Sequence, residues 1–203
     1  MEVSKGFMKE QDRSFENIKA QLQLEGYRAK DVTFTSGKAT ALGMLYALPF
    51  LAVLGAIYEV LLKERAVLSD TGILGVYGAF LAITIVSVVI HELLHALGWA
   101  AASGQGWPVV RLNWSMLMPS CACKIALDKK AYLVGVLAPL VVLGTVSTIF
   151  LWIRPGTLSL LTMLVNFTAA GADVLIASKV LKEEPRLFID DPTEAGYVAF
   201  YRP

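Results

Sequence analysis

Four long apolar stretches, at residues 39–62, 73–102, 131–153 and 158–181, set the limits on how this chain can fold. Each holds the roughly 20 residues that a helix needs to cross about 30 Å of hydrocarbon at about 1.5 Å per residue. Hydrophobic residues make up 56% of the 203 positions and charged ones 17%, a balance well away from that of a soluble globular domain. The pattern predicts an all-α membrane protein with about four transmembrane helices. The second stretch is the longest and must tilt or protrude. Pro139 predicts a kink in the third, because its ring removes a backbone donor.

Orientation follows from where the basic residues fall, since cytoplasmic flanks keep the excess of Lys and Arg. Of the eighteen, only Lys63, Arg65 and Arg154 lie on one side; the rest flank the other ends of the stretches. Both termini are therefore expected in the cytoplasm, with the second span running inward, in a protein integral to a cell membrane. Three regions result: a cytoplasmic N-terminal segment at 1–38, a four-span domain at 39–181 and a cytoplasmic tail at 182–203. No apolar core follows the first residues as a cleaved leader would require, so the N-terminal segment is expected to be retained. Within it Phe15, Ile18 and Leu22 recur at helical spacing before Gly26. That helix would either lie on the bilayer surface or pack on the domain.

The link at 103–130 has structure of its own. Val110, Leu112, Trp114 and Met116 alternate with Arg111, Asn113 and Ser115, and a second alternation runs through Cys121, Cys123, Ile125 and Leu127. With Pro119 and Ser120 as turn material, this predicts a small β-hairpin on the cytoplasmic side between spans two and three. Cys121 and Cys123, one residue apart, suit neither a disulfide framework nor a CxxC metal knuckle and are expected as reduced thiols. A net charge of +1 and the lack of a basic, aromatic-laced stripe argue against a nucleic-acid partner.

The chain has two histidines, and both belong to His91-Glu92-Leu93-Leu94-His95 inside the second apolar stretch. Four residues apart on a helix, His91 and His95 share a face at about 6 Å and can hold one metal ion. Glu92, one step round, is placed to act as a base on water at that ion. A carboxylate in the middle of a span costs about 2.5–3.5 kcal/mol on insertion scales, and a divalent cation compensates it. The bland alternative is a polar patch bonded between helices. For a third ligand, Asp173 is the acidic residue C-terminal to the motif that lies within an apolar stretch. His95 lies eight residues before Ser103 and Asp173 nine before Lys182. Both therefore sit roughly 12–14 Å from the same end of parallel spans. Asp173 could instead be a lone aspartate satisfied locally. Asn166, seven residues earlier, would bind substrate or a developing oxyanion, or else make an interhelical contact. Glu59 and Lys63, four apart, read as a local ion pair.

The HELLH motif in the second of four spans, the Cys121-Ala122-Cys123-Lys124 strand followed by Tyr132 and Pro139, and Asn166 with Asp173 in the last span resemble the zincin peptidase family of small bacterial membrane proteins. More distantly they are similar to the site-2 intramembrane metalloproteases. The likeness covers roughly residues 70–180. By position it brings the third ligand of the site-2 relatives onto Asp173, although Ala172-Asp173-Val174 does not reproduce their Leu-Asp-Gly. It implies Zn²⁺ as cofactor, His91, His95 and Asp173 as metal ligands and Glu92 as the catalytic base. A membrane-protein or peptide substrate in the lipid bilayer is implied with them. An extended substrate would pair with the strand over 109–116, at Leu112 and Asn113. The expected function is a zinc-dependent membrane endopeptidase. The alternative is a non-catalytic metal-binding scaffold with a peptidase fold, which needs no base at Glu92. A metal transporter would line a path with further ionisable residues, and the first and third stretches supply almost none.

Overall fold

The computed structural model describes residues 14–66, 72–115 and 118–202. A first helix, α1, covers 14–24 and leads through a turn at Gly26 into β1 (Arg28–Phe34). Helix α2 (Ser36–Ile57) runs on through a π turn at Tyr58–Leu62 and a 3₁₀ turn at Lys63–Arg65. Helix α3 (Ile73–Ala102) is followed by β2 (Val110–Ser115) and β3 (Met118–Cys123), an antiparallel hairpin that pairs Leu112 with Cys121 and Asn113 with Ser120. Helices α4 (Lys129–Ile153), α5 (Thr157–Ala169) and α6 (Gly171–Lys182) complete the helical part, and β4 (Leu187–Asp190) and β5 (Ala195–Tyr201) end the chain.

Four helical lengths are long and apolar enough to cross a membrane: Ser36–Arg65, Ile73–Ala102, Lys129–Ile153 and Thr157–Lys182. Helices suit those sequences because every internal N–H and C=O is paired within the segment, which hydrocarbon demands. Their outer faces carry exposed Ile85, Val86 and Leu97 on α3 and Val141, Val146, Ile149 and Trp152 on α4. Water would penalise such continuous apolar surface, and lipid does not. Helix α4 runs through Pro139, and α2 through Pro49. The fourth length is interrupted for one residue at Ala170, so Asn166 falls in the last turn of α5 and Asp173 in the first turn of α6. There α2 crosses closely: a Cβ on Gly171 would lie 2.1 Å from the Gly43 carbonyl oxygen.

The expectation of an all-α chain is corrected by a second sheet, three-stranded and antiparallel, in the order β1-β5-β4. It joins the two end regions, pairing Arg28 with Tyr201 through to Phe34 with Ala195. Strand β5 is buried on both faces. Tyr197 and Ala199 enter the main core with Trp99, Tyr132, Val136, Val180 and Phe188. Val198 and Phe200 enter a second core beneath α1, where Phe15, Ile18 and Leu22 pack. That contact answers the question of what α1 covers: its apolar stripe rests on the sheet. Lys129 ties the start of α4 to the end of α6 by donating to the Leu181 and Glu183 carbonyls. At the opposite end of the bundle, Leu54, Leu62, Leu151, Met163 and Phe167 close a third core.

Candidate metal centre

His91 and His95 sit one turn apart on α3, and both are buried, each 8% exposed. Their Nε2 atoms lie 3.1 Å apart. Asp173, arriving from α6, places Oδ2 3.2 Å from the His91 Nε2 and Oδ1 3.4 Å from the His95 Nε2. One further contact fixes the His95 ring. Its Nδ1 lies 2.8 Å from the Gly135 carbonyl oxygen. A carbonyl only accepts, so Nδ1 carries the proton and Nε2 presents a lone pair to the cluster. Gly135 can come so near because it has no side chain: a Cβ there would lie 2.0 Å from the Trp99 ring, which itself stacks on His95 at 5.5 Å.

The donor set fits a divalent cation. Two imidazole nitrogens and a carboxylate all lie within 4.8 Å of one another, and the Asp173 Oδ2 and His91 Nδ1 have no hydrogen-bond partner among the described residues. Converging lone pairs repel unless something positive stands between them. Zinc bonds of about 2.0–2.1 Å in a tetrahedron separate neighbouring ligand atoms by about 3.3 Å, which matches these spacings. The half-buried Glu92 is outside the cluster, and the main chain of Cys121 approaches its carboxylate.

A cleft of about 400 Å³ opens onto the cluster. Strand β3 forms one wall with Ser120, Cys121 and Ala122, and the β4–β5 turn from Asp190 to Gly196 forms another. Tyr132 and Trp99 also line it, and among the described residues no Lys or Arg does. Tyr132 donates a hydrogen bond to the Asp190 Oδ1 at 3.0 Å. Burial pushes the Asp190 carboxyl up to about 7, against the hydrogen bond from Tyr132 that favours its ionised form. Burial also pushes the Cys121 thiol up and the Cys123 thiol to about 12, so both stay protonated. Both are free thiols.

The structure therefore brings His91, His95 and Asp173 together with Glu92 beside them, and separates other candidates from them. Asn166 donates from Nδ2 to the Ser147 Oγ at 2.8 Å, between α5 and α4, and does not line the cleft. It makes the interhelical contact. Leu112 and Asn113 lie on β2, whereas the strand bordering the cleft is β3. Met116, at the end of the expected pairing segment, lies outside the described residues. Lys63 and Glu59 form their ion pair at 2.5 Å, far from the cluster in the chain. Asp190 and Tyr132 were not singled out as site residues by the sequence. A signal for Asp190 exists: Leu187-Phe188-Ile189, a polar turn with Pro192, then Gly196-Tyr197-Val198-Ala199-Phe200 reads as a hairpin.

A family model described as "Putative zincin peptidase" matches residues 84–188, a stretch that holds His91, Glu92, His95 and Asp173. No curated protein and no solved structure matches the chain.

Proposed function

The chain belongs to this zincin peptidase family, and from that premise we propose that it is a zinc-dependent endopeptidase hydrolysing peptide bonds within or next to the bilayer. The observation that carries the reading is the convergence of the His91 and His95 Nε2 atoms and the Asp173 carboxylate, with a carboxylate left over at Glu92. His91, His95 and Asp173 would hold the zinc, which would supply the Lewis acidity that makes a neighbouring water acidic enough to lose a proton near neutral pH. Glu92 then takes the proton of the attacking water and returns it to the leaving amine. Gly135 holds His95 in the tautomer that presents Nε2 to the cluster. A metal scaffold needs no base beside its ligands, so Glu92 favours the enzyme over the non-catalytic alternative.

The site-2 metalloproteases offer a mechanistic analogy, with HExxH on one span and a carboxylate from a later one. In this reading the protein belongs to a bacterial cell membrane with both termini cytoplasmic, and its substrate is a membrane protein or peptide. Substrate main chain pairs with the edge of β3 that has no strand partner among the described residues, rather than with Leu112 and Asn113, because β3 borders the cleft. N-methylating amides beside the scissile bond should then weaken substrate binding by about tenfold.

The decisive variant is Glu92→Gln, assayed in detergent with an unstructured polypeptide such as casein. It should keep its zinc and lose about 10²–10⁴-fold in cleavage rate. Cleavage equal to that of the unaltered protein refutes the assigned role.

A further inference from the structure

Hydrolysis of a peptide needs a third element besides ligands and base: a donor aimed at the carbonyl oxygen as it gains charge. Asn166 does not reach the cleft. Both histidines are committed to the cluster, and among the described residues no Lys or Arg lines the cavity. Among the side chains that do, the Thr193 hydroxyl bonds Asp191 and the Trp99 N–H bonds the Tyr132 carbonyl. Tyr132 spends its own hydroxyl proton on Asp190. The Ser120 hydroxyl and the Cys121 thiol also line the cleft, but the uncommitted group anchored by a buried partner is Asp190. Its Oδ1 is held by Tyr132, and its Oδ2 has no partner among the described residues. Tyr132 is 1% exposed and sits in an unbroken aromatic series from His95 through Trp99 to Phe188 and Tyr197, so the carboxyl is held on a rigid support.

We infer that Asp190, anchored by Tyr132 at the wall of the metal cleft, donates a hydrogen bond from its free carboxyl oxygen to the scissile carbonyl of the bound peptide. The inference rests on the metallopeptidase reading and adds to it a catalytic residue from the C-terminal hairpin. Burial supports it, since a carboxyl titrating near 7 keeps its proton through the acidic half of the physiological range. The groups facing Asp190 are Glu92 and His95 on α3, Tyr132 on α4, Cys121 and Cys123 on β3, and Asp191 in its own turn. Arg111 and Lys124 line a smaller pocket behind it, where α1 presents Ser14 and Phe15.

The sign of the pH effect is fixed by which form donates. The neutral acid donates and its anion does not, so cleavage by the unaltered protein falls as pH rises through about 7. Removing the Tyr132 hydroxyl removes a bond that favours the anion, so Tyr132→Phe should move that alkaline limb to higher pH. Asp190→Asn offers an amide donor that does not titrate. It should recover at least tenfold over Asp190→Ala and lack the limb. Asp190→Ala should lose about 10²–10³-fold in kcat while keeping its zinc. A readout independent of turnover comes from the Glu92→Gln background, where Asp190→Ala should weaken casein binding severalfold.

Two results would overturn the inference: kcat in Asp190→Ala within threefold of the unaltered protein, or an alkaline limb in Asp190→Asn at the same pH as before. If Asp190→Ala loses its zinc or unfolds, the Asp190→Asn and Tyr132→Phe profiles decide. Failure of the parent reading looks different, because there Glu92→Gln would cleave as well as the unaltered protein.

Discussion

Gly135 carries more of the site than its size suggests. Its carbonyl fixes the His95 tautomer, and its missing side chain is what lets Trp99 lie against α4. Gly135→Ala must push either the ring or the helix aside, at about 1–3 kcal/mol for overpacking. Because that shift moves the acceptor of a ligand's second nitrogen, zinc affinity should fall about 10–100-fold, as read by competition with a chelating dye. Affinity unchanged in a folded Gly135→Ala protein would show that the carbonyl does not orient the ring. Residues of this kind are hidden from sequence reading. The spacing of His91 and His95 announces itself because one helix turn dictates their meeting. Gly135 and Asp190 acquire their roles from α4 and β4 being folded against α3, which no local pattern records.

Among the elements, the α2–α6 crossing is the tightest support of Asp173. Gly43 and Gly171 meet backbone to backbone two residues before the carboxylate, in the manner of small-residue packing between membrane helices. Gly171→Val should part the two helices, lower the unfolding temperature in detergent and weaken zinc binding together. Loss of thermal stability with full zinc affinity would mean that α6 is positioned by other contacts. The four apolar stretches were legible because a span needs continuous apolar sequence. The interruption at Ala170 was not, since Ala169, Ala170 and Gly171 stay apolar throughout. The β2–β3 hairpin was legible from its two-residue alternation. The other sheet is legible only in the turn between β4 and β5: β1 is heavily charged, β4 has four residues, and β5 is buried on both faces and so shows no alternation.

For the whole molecule, the pairing of β1 with β5 places the first and last strands at one end of the helical bundle, the end where β4 and β5 wall the metal cleft. In the proposed orientation that end is cytoplasmic. A cysteine at exposed Glu64 should therefore react with an impermeant maleimide in intact cells, and one at exposed Gln23 only after permeabilisation. The reverse pattern would turn the molecule over and place its cleft outside. In either orientation the sheet is part of the functional unit, because it delivers Asp190 and the Asp191–Gly196 turn to the cleft.

The central claim is that two imidazoles and the Asp173 carboxylate share one ion, and anomalous X-ray scattering at the zinc edge tests it most directly. The account predicts a single peak per chain, between the Nε2 atoms of His91 and His95 and the Asp173 carboxylate, that persists in Glu92→Gln and vanishes in His95→Ala. A protein purified with zinc present that shows no peak there, or shows one bound elsewhere, would contradict it.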